Sequence, residues 1–170
     1  NGAGTVNSAT DVANATYTAG AAETGSVTLT LTTSGGSCST TTDTKTITIN
    51  ANPTASAGSA LSAICQSGTS AAMGGSVGGG ATSGLWSGGA GSWANATNVS
   101  TATYTAGAAE SGSITLTLKT VGGSCSTTTD TKTITVNENP PASAGAALSA
   151  ICQSGTSAAM GGSVGGGATG

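Results

Sequence analysis

Apolar residues alternate with threonine in two stretches of the chain. In residues 26–32, valine and leucine take one parity and threonine takes the other. In residues 44–50, two isoleucines alternate with threonine in the same way. A period of two is typical of a strand with one buried and one exposed face. Because Gly35 and Gly36 supply a turn after the first stretch, we predict that the two strands form an antiparallel hairpin.

The whole pattern returns after 87 residues, so that Tyr17 recurs as Tyr104. Residues 15–83 align to residues 102–170 without a gap and with about nine differences. A fixed period indicates a repeated structural unit. A period of 87 residues fits a small β-sandwich, and it is too long for one coil of a solenoid or one propeller blade.

Several shorter strands are predicted ahead of each hairpin, separated by glycine-rich turns. No helical periodicity exceeds one turn. Seven or so short strands with frequent turns are typical of a sandwich, so we predict an all-β fold of tandem β-sandwich repeats with a period of 87 residues. The predicted short strands of the central repeat are residues 57–64, residues 71–77 with Ala71, Met73, Gly75 and Val77 on one face, a strand around Leu85 and Trp86, and residues 92–94 and 101–105.

Proline divides the chain into three parts. Pro53 and the pair at 140–141 follow asparagine and break the strand pattern. Residues 1–53 are therefore predicted to be the C-terminal part of one repeat, residues 54–140 a complete repeat, and residues 141–170 the N-terminal part of the next. Head-to-tail copies would complete each other's repeats. We expect a window of a longer array, and strand exchange between separate chains is the alternative.

Composition excludes several classes of function. Charged residues make up 5% of the chain, against about 25% in a typical soluble protein. The net charge is −3 and no basic cluster is present, which argues against nucleic-acid binding. Histidine is absent and the six carboxylates are scattered, so we predict no enzyme, no metal site and no cofactor. The sequence contains no run of 18 apolar residues and therefore predicts no membrane-spanning helix.

One long string carries a resemblance to a known family. Residues 74–89 read GGSVGGGATSGLWSGG, followed by ATYT at 102–105, AAE at 108–110 and GSITLTL at 112–118. These strings resemble the tandem Ig-like (PKD-like) repeats of giant secreted cell-surface and adhesin proteins of Bacteroidota, over essentially the whole chain. The resemblance implies an extracellular setting and a structural or adhesive role, and it identifies no ligand.

Four cysteines are candidates for disulfides, since an even count is typical of extracellular modules. Cys65 and Cys125 bracket Trp86 with a spacing that resembles the Cys…Trp…Cys arrangement of Ig domains. A bond between Cys38 and Cys65 across the linker, or a bond between adjacent domains, is the alternative. If Cys65 bonds to Cys125, then Cys38 and Cys152 pair outside this sequence.

Other residues mark the core or a modification. Trp86 and the repeated tyrosine, Tyr17 and Tyr104, are expected to mark the core. Lys45 and Lys132 share the inward parity of their strands. We expect each lysine stem to pack while the ammonium reaches water, and an isopeptide cross-link is the alternative. The sequons for N-glycosylation begin at Asn14, Asn95 and Asn98.

The threonine rows invite an ice-binding or carbohydrate-binding interpretation, but a solvent-facing row of β-branched residues explains them. We predict an extracellular structural repeat that forms a stalk, fibre or filament of a large surface adhesin, at the cell surface or in a secreted filament. Its expected partners are neighbouring copies of the same repeat, in the same chain or as head-to-tail subunits, with surface glycans as a further candidate. A carbohydrate-binding surface module, or a non-catalytic repeat region of a secreted hydrolase, is the alternative.

Overall fold

The computed structural model describes residues 2–8, 10, 12–166 and 168. Every regular element over these residues is a strand, and none is a helix. The prediction of an all-β protein is therefore confirmed. The described part of the chain contains no helix that is long and apolar enough to cross a membrane.

The strands fall into three groups along the chain, four before Pro53, eight between Thr54 and Asn137, and two after it. In chain order they are β1 (Thr5–Asn7), β2 (Thr16–Thr18), β3 (Gly25–Thr32), β4 (Thr42–Ile49), β5 (Thr54–Ser56), β6 (Ile64–Cys65), β7 (Ser76–Gly78), β8 (Ser83–Gly88), β9 (Ser92–Ala94), β10 (Thr103–Thr105), β11 (Gly112–Val121), β12 (Thr129–Asn137), β13 (Ala142–Ser143) and β14 (Ser163–Val164).

The predicted hairpin forms in both places. Strands β3 and β4 pair antiparallel with Val27 opposite Ile47. Strands β11 and β12 pair antiparallel with Ile114 opposite Ile134, the same positions one repeat later. Because side chains alternate across a strand, this register places the paired apolar residues of each hairpin on one face, and Val121 at the end of β11 lies on the other.

The largest sheet has four strands in the order β6-β12-β11-β8. Strand β8 pairs antiparallel with β11 and places Trp86 opposite Leu118. Strand β6 pairs parallel with the far end of β12, where Ile64 lies opposite Val136. Strands β5 and β7, and strands β9 and β10, form two small ladders beside this sheet.

The core lies on the inward face of the four-stranded sheet. Leu116 and Leu118 of β11 are fully buried there. Trp86 packs in the same cluster, stacked on Trp93 at a centroid distance of 5.9 Å. The Trp86 indole N–H donates to the Val99 carbonyl at 2.9 Å, so its polar atom is satisfied inside the core. The other buried members of the cluster are Ala57, Met73, Ala102, Tyr104, Ala106, Ile134 and Val136.

Two predicted strands form only in part. Of residues 57–64, only the last enters a strand, β6. Of residues 71–77, only the last two enter a strand, β7. Gly74 has a φ of +62°, a left-handed conformation that turns the chain, and β7 begins two residues later at Ser76. The burial that the alternation indicated is kept at Met73, Gly75 and Val77, whereas Ala71 is exposed.

The two hairpins offer a matched test of where the stability lies. Replacing Leu118, which is 0% exposed, by alanine is expected to lower the free energy of unfolding of residues 54–140 by about 2–5 kcal/mol because it leaves a cavity. Leu31, its counterpart in β3, is 49% exposed, so Leu31→Ala is the control. Urea unfolding is followed by tryptophan fluorescence, which reports on the central residues because Trp86 and Trp93 both lie there, and by circular dichroism, which reports on the strands of both hairpins. Equal shifts for the two variants would contradict this placement of the core.

Candidate interaction face

The buried Lys132 ties the residues ahead of β8 to the hairpin β11–β12. Its ammonium donates to the Ser59 carbonyl at 2.9 Å and to the Met73 carbonyl at 2.6 Å. It also lies 5.6 Å from the centre of the Trp86 ring, within cation–π range. Burial lowers the pKa of Lys132, and the nearby Asp130 charge offsets part of that effect. Our expectation that this ammonium reaches water is wrong. Lys132 is 8% exposed, and two backbone carbonyls take the place of water as its hydrogen-bond acceptors.

Asp130 holds the same residues from the neighbouring inward position of β12. Its carboxylate accepts the Ala57 N–H at 2.7 Å and the Thr131 N–H at 2.9 Å. These two hydrogen bonds hold the pKa of Asp130 below its ordinary value. Both charged side chains on the inward face of β12 therefore bind backbone atoms rather than each other's side chains.

Main-chain hydrogen bonds complete this attachment. We call residues 54–79 the front segment. Its Met73 N–H donates to the Ala102 carbonyl at 2.9 Å, and its Ser70 N–H donates to the Tyr104 carbonyl at 2.8 Å. At the edge of the sheet, Gln66 N–H donates to the Asn137 carbonyl at 3.0 Å. The front segment is thus bound along both β10 and β12.

The first hairpin exposes the surface that the front segment covers in the central unit. Ile47 is 41% exposed, whereas its counterpart Ile134 is 1% exposed. Lys45, the counterpart of Lys132, is exposed as well. A groove with a volume of about 630 Å³ runs along this surface. We call this surface the open face and define it by Tyr17, Leu29, Leu31, Asp43, Lys45 and Ile47.

The C-terminal residues show the opposite half of the same mismatch. Residues 141–166 correspond to the front segment one repeat later, and we call them the free front segment. Met160 is 68% exposed, whereas its counterpart Met73 is 1% exposed. Leu148 and Ile151 are exposed too. The chain therefore contains both the open face and a copy of the segment that covers the equivalent face in the central unit, and the two are not in contact.

A tyrosine–glutamate pair fixes the loop after β10. The Tyr104 hydroxyl donates to the Glu110 carboxylate and accepts the Gly91 N–H at 2.8 Å. Glu110 also accepts N–H groups from Ala90 and Gly107. Tyr17 and Glu23 repeat the arrangement in the first unit. The glutamate was missed in the sequence, although its fixed distance from a repeated tyrosine was a usable signal.

The surroundings of Tyr104 and Glu110 favour a structural role for the pair over a catalytic one. Burial raises the pKa of Glu110, but hydrogen bonds from Tyr104, Ala90 and Gly107 outweigh it, so the pKa lies below its ordinary value. Burial, followed by the bond to Glu110, raises the pKa of Tyr104. Both shifts favour the ionised acid and the neutral phenol, and neither leaves a group ready to exchange a proton near neutral pH.

The expected disulfide is not formed, since all four cysteines, Cys38, Cys65, Cys125 and Cys152, are free. Cys65 lies opposite Asn137 at the last residue of β12. Cys125 lies in the loop that precedes β12, at the other end of a nine-residue strand. The two are separated by roughly 25 Å of strand, and a disulfide needs Cα atoms within about 7 Å. The Cys…Trp…Cys spacing along the chain gave no information about this distance in space.

The remaining candidates lie on the surface. Asn14, Asn95 and Asn98 are all exposed. The Asn98 carboxamide oxygen accepts the Thr101 N–H at 3.3 Å, which uses it in a turn. Among the described residues, no group of three or more His, Cys, Asp or Glu side chains is arranged to hold a metal ion.

No family model matches the chain, and no curated protein and no solved structure is significantly similar to it. The resemblance to Ig-like repeats therefore stays a prediction.

The Tyr104–Glu110 pair generates a pH prediction. Because the folded-state pKa of Glu110 lies below the ordinary 4.5, its carboxylate stabilises the fold above that pH, and the contribution is lost as the pH falls through the folded-state pKa. Glu110→Gln is expected to lower the urea midpoint at neutral pH and to flatten the decline of stability in acid. The exposed Glu138 supplies the control, Glu138→Gln. An acid profile of Glu110→Gln that matches the unsubstituted chain would contradict this role.

Proposed function

We propose that the chain is a run of tandem Ig-like β-sandwich units, with a period of 87 residues, that forms an extracellular stalk, fibre or filament of a large surface adhesin. The role is mechanical and involves no catalysis. Neighbouring copies of the unit are its partners. The low charge and the threonine-rich outward faces support an extracellular spacer, as does the resemblance of residues 74–89 and 102–118.

The observation that carries the proposal is how the linker is held. The linker before the central unit is bound by that unit's own loops. The Thr128 hydroxyl donates to the Pro53 carbonyl at 2.9 Å, and the Cys125 thiol contacts the Asn50 carbonyl at 3.7 Å. Gly80 N–H donates to the Asn52 carbonyl at 3.4 Å. A linker held at three points restricts the angle between units, which is what a spacer that spans distance requires.

The interior of the central unit suits the same role. Its titratable side chains form hydrogen bonds that stabilise the fold, with Lys132 on carbonyls and Asp130 on N–H groups. The space beside the inward face is filled by Trp86 and Met73. A filled core with satisfied polar groups resists unfolding and proteolysis.

Longer tandem chains test the spacer function. Chains carrying additional copies of residues 54–140 are expected to lengthen by a constant increment per copy, because each linker holds its neighbour. The increment should be at least about 33 Å, the length of the ten-residue β11. Small-angle scattering or electron microscopy measures it.

The linker supplies the control for that test. Thr128→Ala removes one linker contact and is expected to make the same chains bend more and lengthen less. Length that grows only with the square root of the copy number would contradict a stalk, because that is the behaviour of freely jointed units. Saturable binding of a polysaccharide by the 170-residue chain would favour the carbohydrate-binding alternative instead.

A further inference from the structure

We propose that successive units of the array are joined by a disulfide bond between Cys125 of one unit and the counterpart of Cys65 in the unit before it. The inference rests on the proposed function, since it takes the 87-residue repeat as one of a series of units in a single polypeptide. It adds a covalent cross-link at each junction between units.

Cys125 lies at the junction between units rather than inside its own unit. Its thiol contacts the Asn50 carbonyl oxygen at 3.7 Å, and Asn50 directly follows β4 of the preceding hairpin. The same loop is tied to the linker by the Thr128 hydroxyl, which donates to the Pro53 carbonyl at 2.9 Å. The thiol is therefore held against the end of the preceding unit.

Close backbone contacts fix the loop that carries Cys125. Gly123 has a φ of +92°, and a Cβ there would lie 2.1 Å from the Gly80 carbonyl oxygen. Only glycine permits this approach. Gly80 in turn donates its N–H to the Asn52 carbonyl at 3.4 Å. The loop, the residues after the front segment and the linker therefore form one continuous set of contacts.

Cys65 occupies the matching place on its own hairpin. It lies opposite Asn137, which is the counterpart of Asn50 one repeat later. The next residue, Gln66, donates its N–H to the Asn137 carbonyl oxygen at 3.0 Å. Cys65 thus flanks, from within its unit, the same carbonyl group that Cys125 approaches from the following unit.

The two observations combine because the two hairpins have the same register. Gly25 lies opposite Ile49, and one repeat later Gly112 lies opposite Val136. In two complete successive units, the Cys125 thiol and the N–H of residue 66 of the preceding unit would therefore approach one oxygen atom. We expect this to bring the two cysteines within the Cα separation of about 7 Å that a disulfide spans.

Both thiols are accessible to an oxidant. Cys65 is exposed and Cys125 is half-buried. Ile64 packs against the core, and because side chains alternate along a strand, Cys65 takes the outward face. The pairing distance within one unit does not apply here, since the following unit, and not the same one, presents its Cys125 counterpart at this end of the hairpin.

The bond forms by thiol–disulfide exchange with a disulfide oxidant. Each cysteine loses its thiol hydrogen as one S–S bond forms, and the two electrons and two protons reduce the oxidant's disulfide to two thiols. An extracellular setting, as in the proposed function, provides such oxidants. The cross-link would span the linker that hydrogen bonds already hold, and it would limit bending at each junction.

The test requires a complete unit ahead of Asn50. The 170-residue chain is therefore extended at its N terminus by a second copy of residues 54–87, because Asn1 is the counterpart of Gly88. Cys38 is replaced by serine, since it would share a tryptic peptide with the added cysteine. In dilute solution with reduced and oxidised glutathione, the extended chain should lose the mass of two hydrogen atoms.

Alkylation of free thiols and digestion with trypsin identify the bonded pair. Cleavage after the three lysines gives four cysteine-bearing peptides: the added copy with residues 1–45, residues 46–119 with Cys65, residues 120–132 with Cys125, and residues 133–170 with Cys152. We expect the Cys125 peptide to be joined to the peptide of the added copy. Its attachment to either of the other two peptides, or complete alkylation of Cys125, would overturn the proposal.

Two controls show whether the fold directs this pairing. Replacing the added cysteine by serine should leave Cys125 fully alkylated. Oxidation in concentrated urea should give a mixture of pairings, because an unfolded chain does not hold the two thiols together. The same mixture in the absence of urea would count against the proposal.

This result and the length of tandem chains test different claims. A Cys125 that stays unbonded in the extended chain removes the cross-link and leaves the stalk of covalently continuous units intact. Tandem chains that fail to lengthen regularly would remove the stalk, even if the disulfide forms.

Discussion

The docking of the front segment on the inward face of a hairpin is the interaction on which this fold depends. The hairpin alone is a two-stranded ribbon with an apolar side, and such ribbons are marginally stable in water. Lys132 and Asp130 fix the front segment to it through backbone atoms. Met73 can then cover Leu116 and Leu118 together with Trp86. The filled core of the central unit follows from that attachment.

Sequence periodicity was sufficient for some elements and insufficient for others. Alternation of apolar residues and threonine predicted both hairpins, because the pattern of a half-buried strand is local. It overextended β7, because Gly74 turns the chain through a left-handed conformation. It placed Lys132 on the inward face, but parity could not show that carbonyls of residues 59 and 73 would be within reach. Those acceptors are backbone atoms, which leave no signature in a sequence.

The disulfide prediction shows a different limit. Spacing along the chain measures contour length, and Cys65 and Cys125 are brought to opposite ends of β12 by the parallel pairing of β6. The burial of a side chain also cannot be predicted from the sequence of its own hairpin. Leu31 and Leu118 occupy equivalent places in nearly identical repeats, yet one is half exposed and the other fully buried. The difference comes from whether a front segment is in contact with the hairpin.

Recognition through backbone carbonyls has a consequence for how such arrays evolve. Lys132 gains the same hydrogen bonds whatever side chain residue 59 carries, and the exchange of Ser59 for Ala146 between repeats leaves that acceptor in place. The side chain at residue 59 can therefore change without loss of the acceptor that Lys132 binds. In an array of the proposed kind, a junction between two diverged repeats would keep these lysine–carbonyl bonds, so that gain or loss of a whole repeat would not cost this part of the attachment.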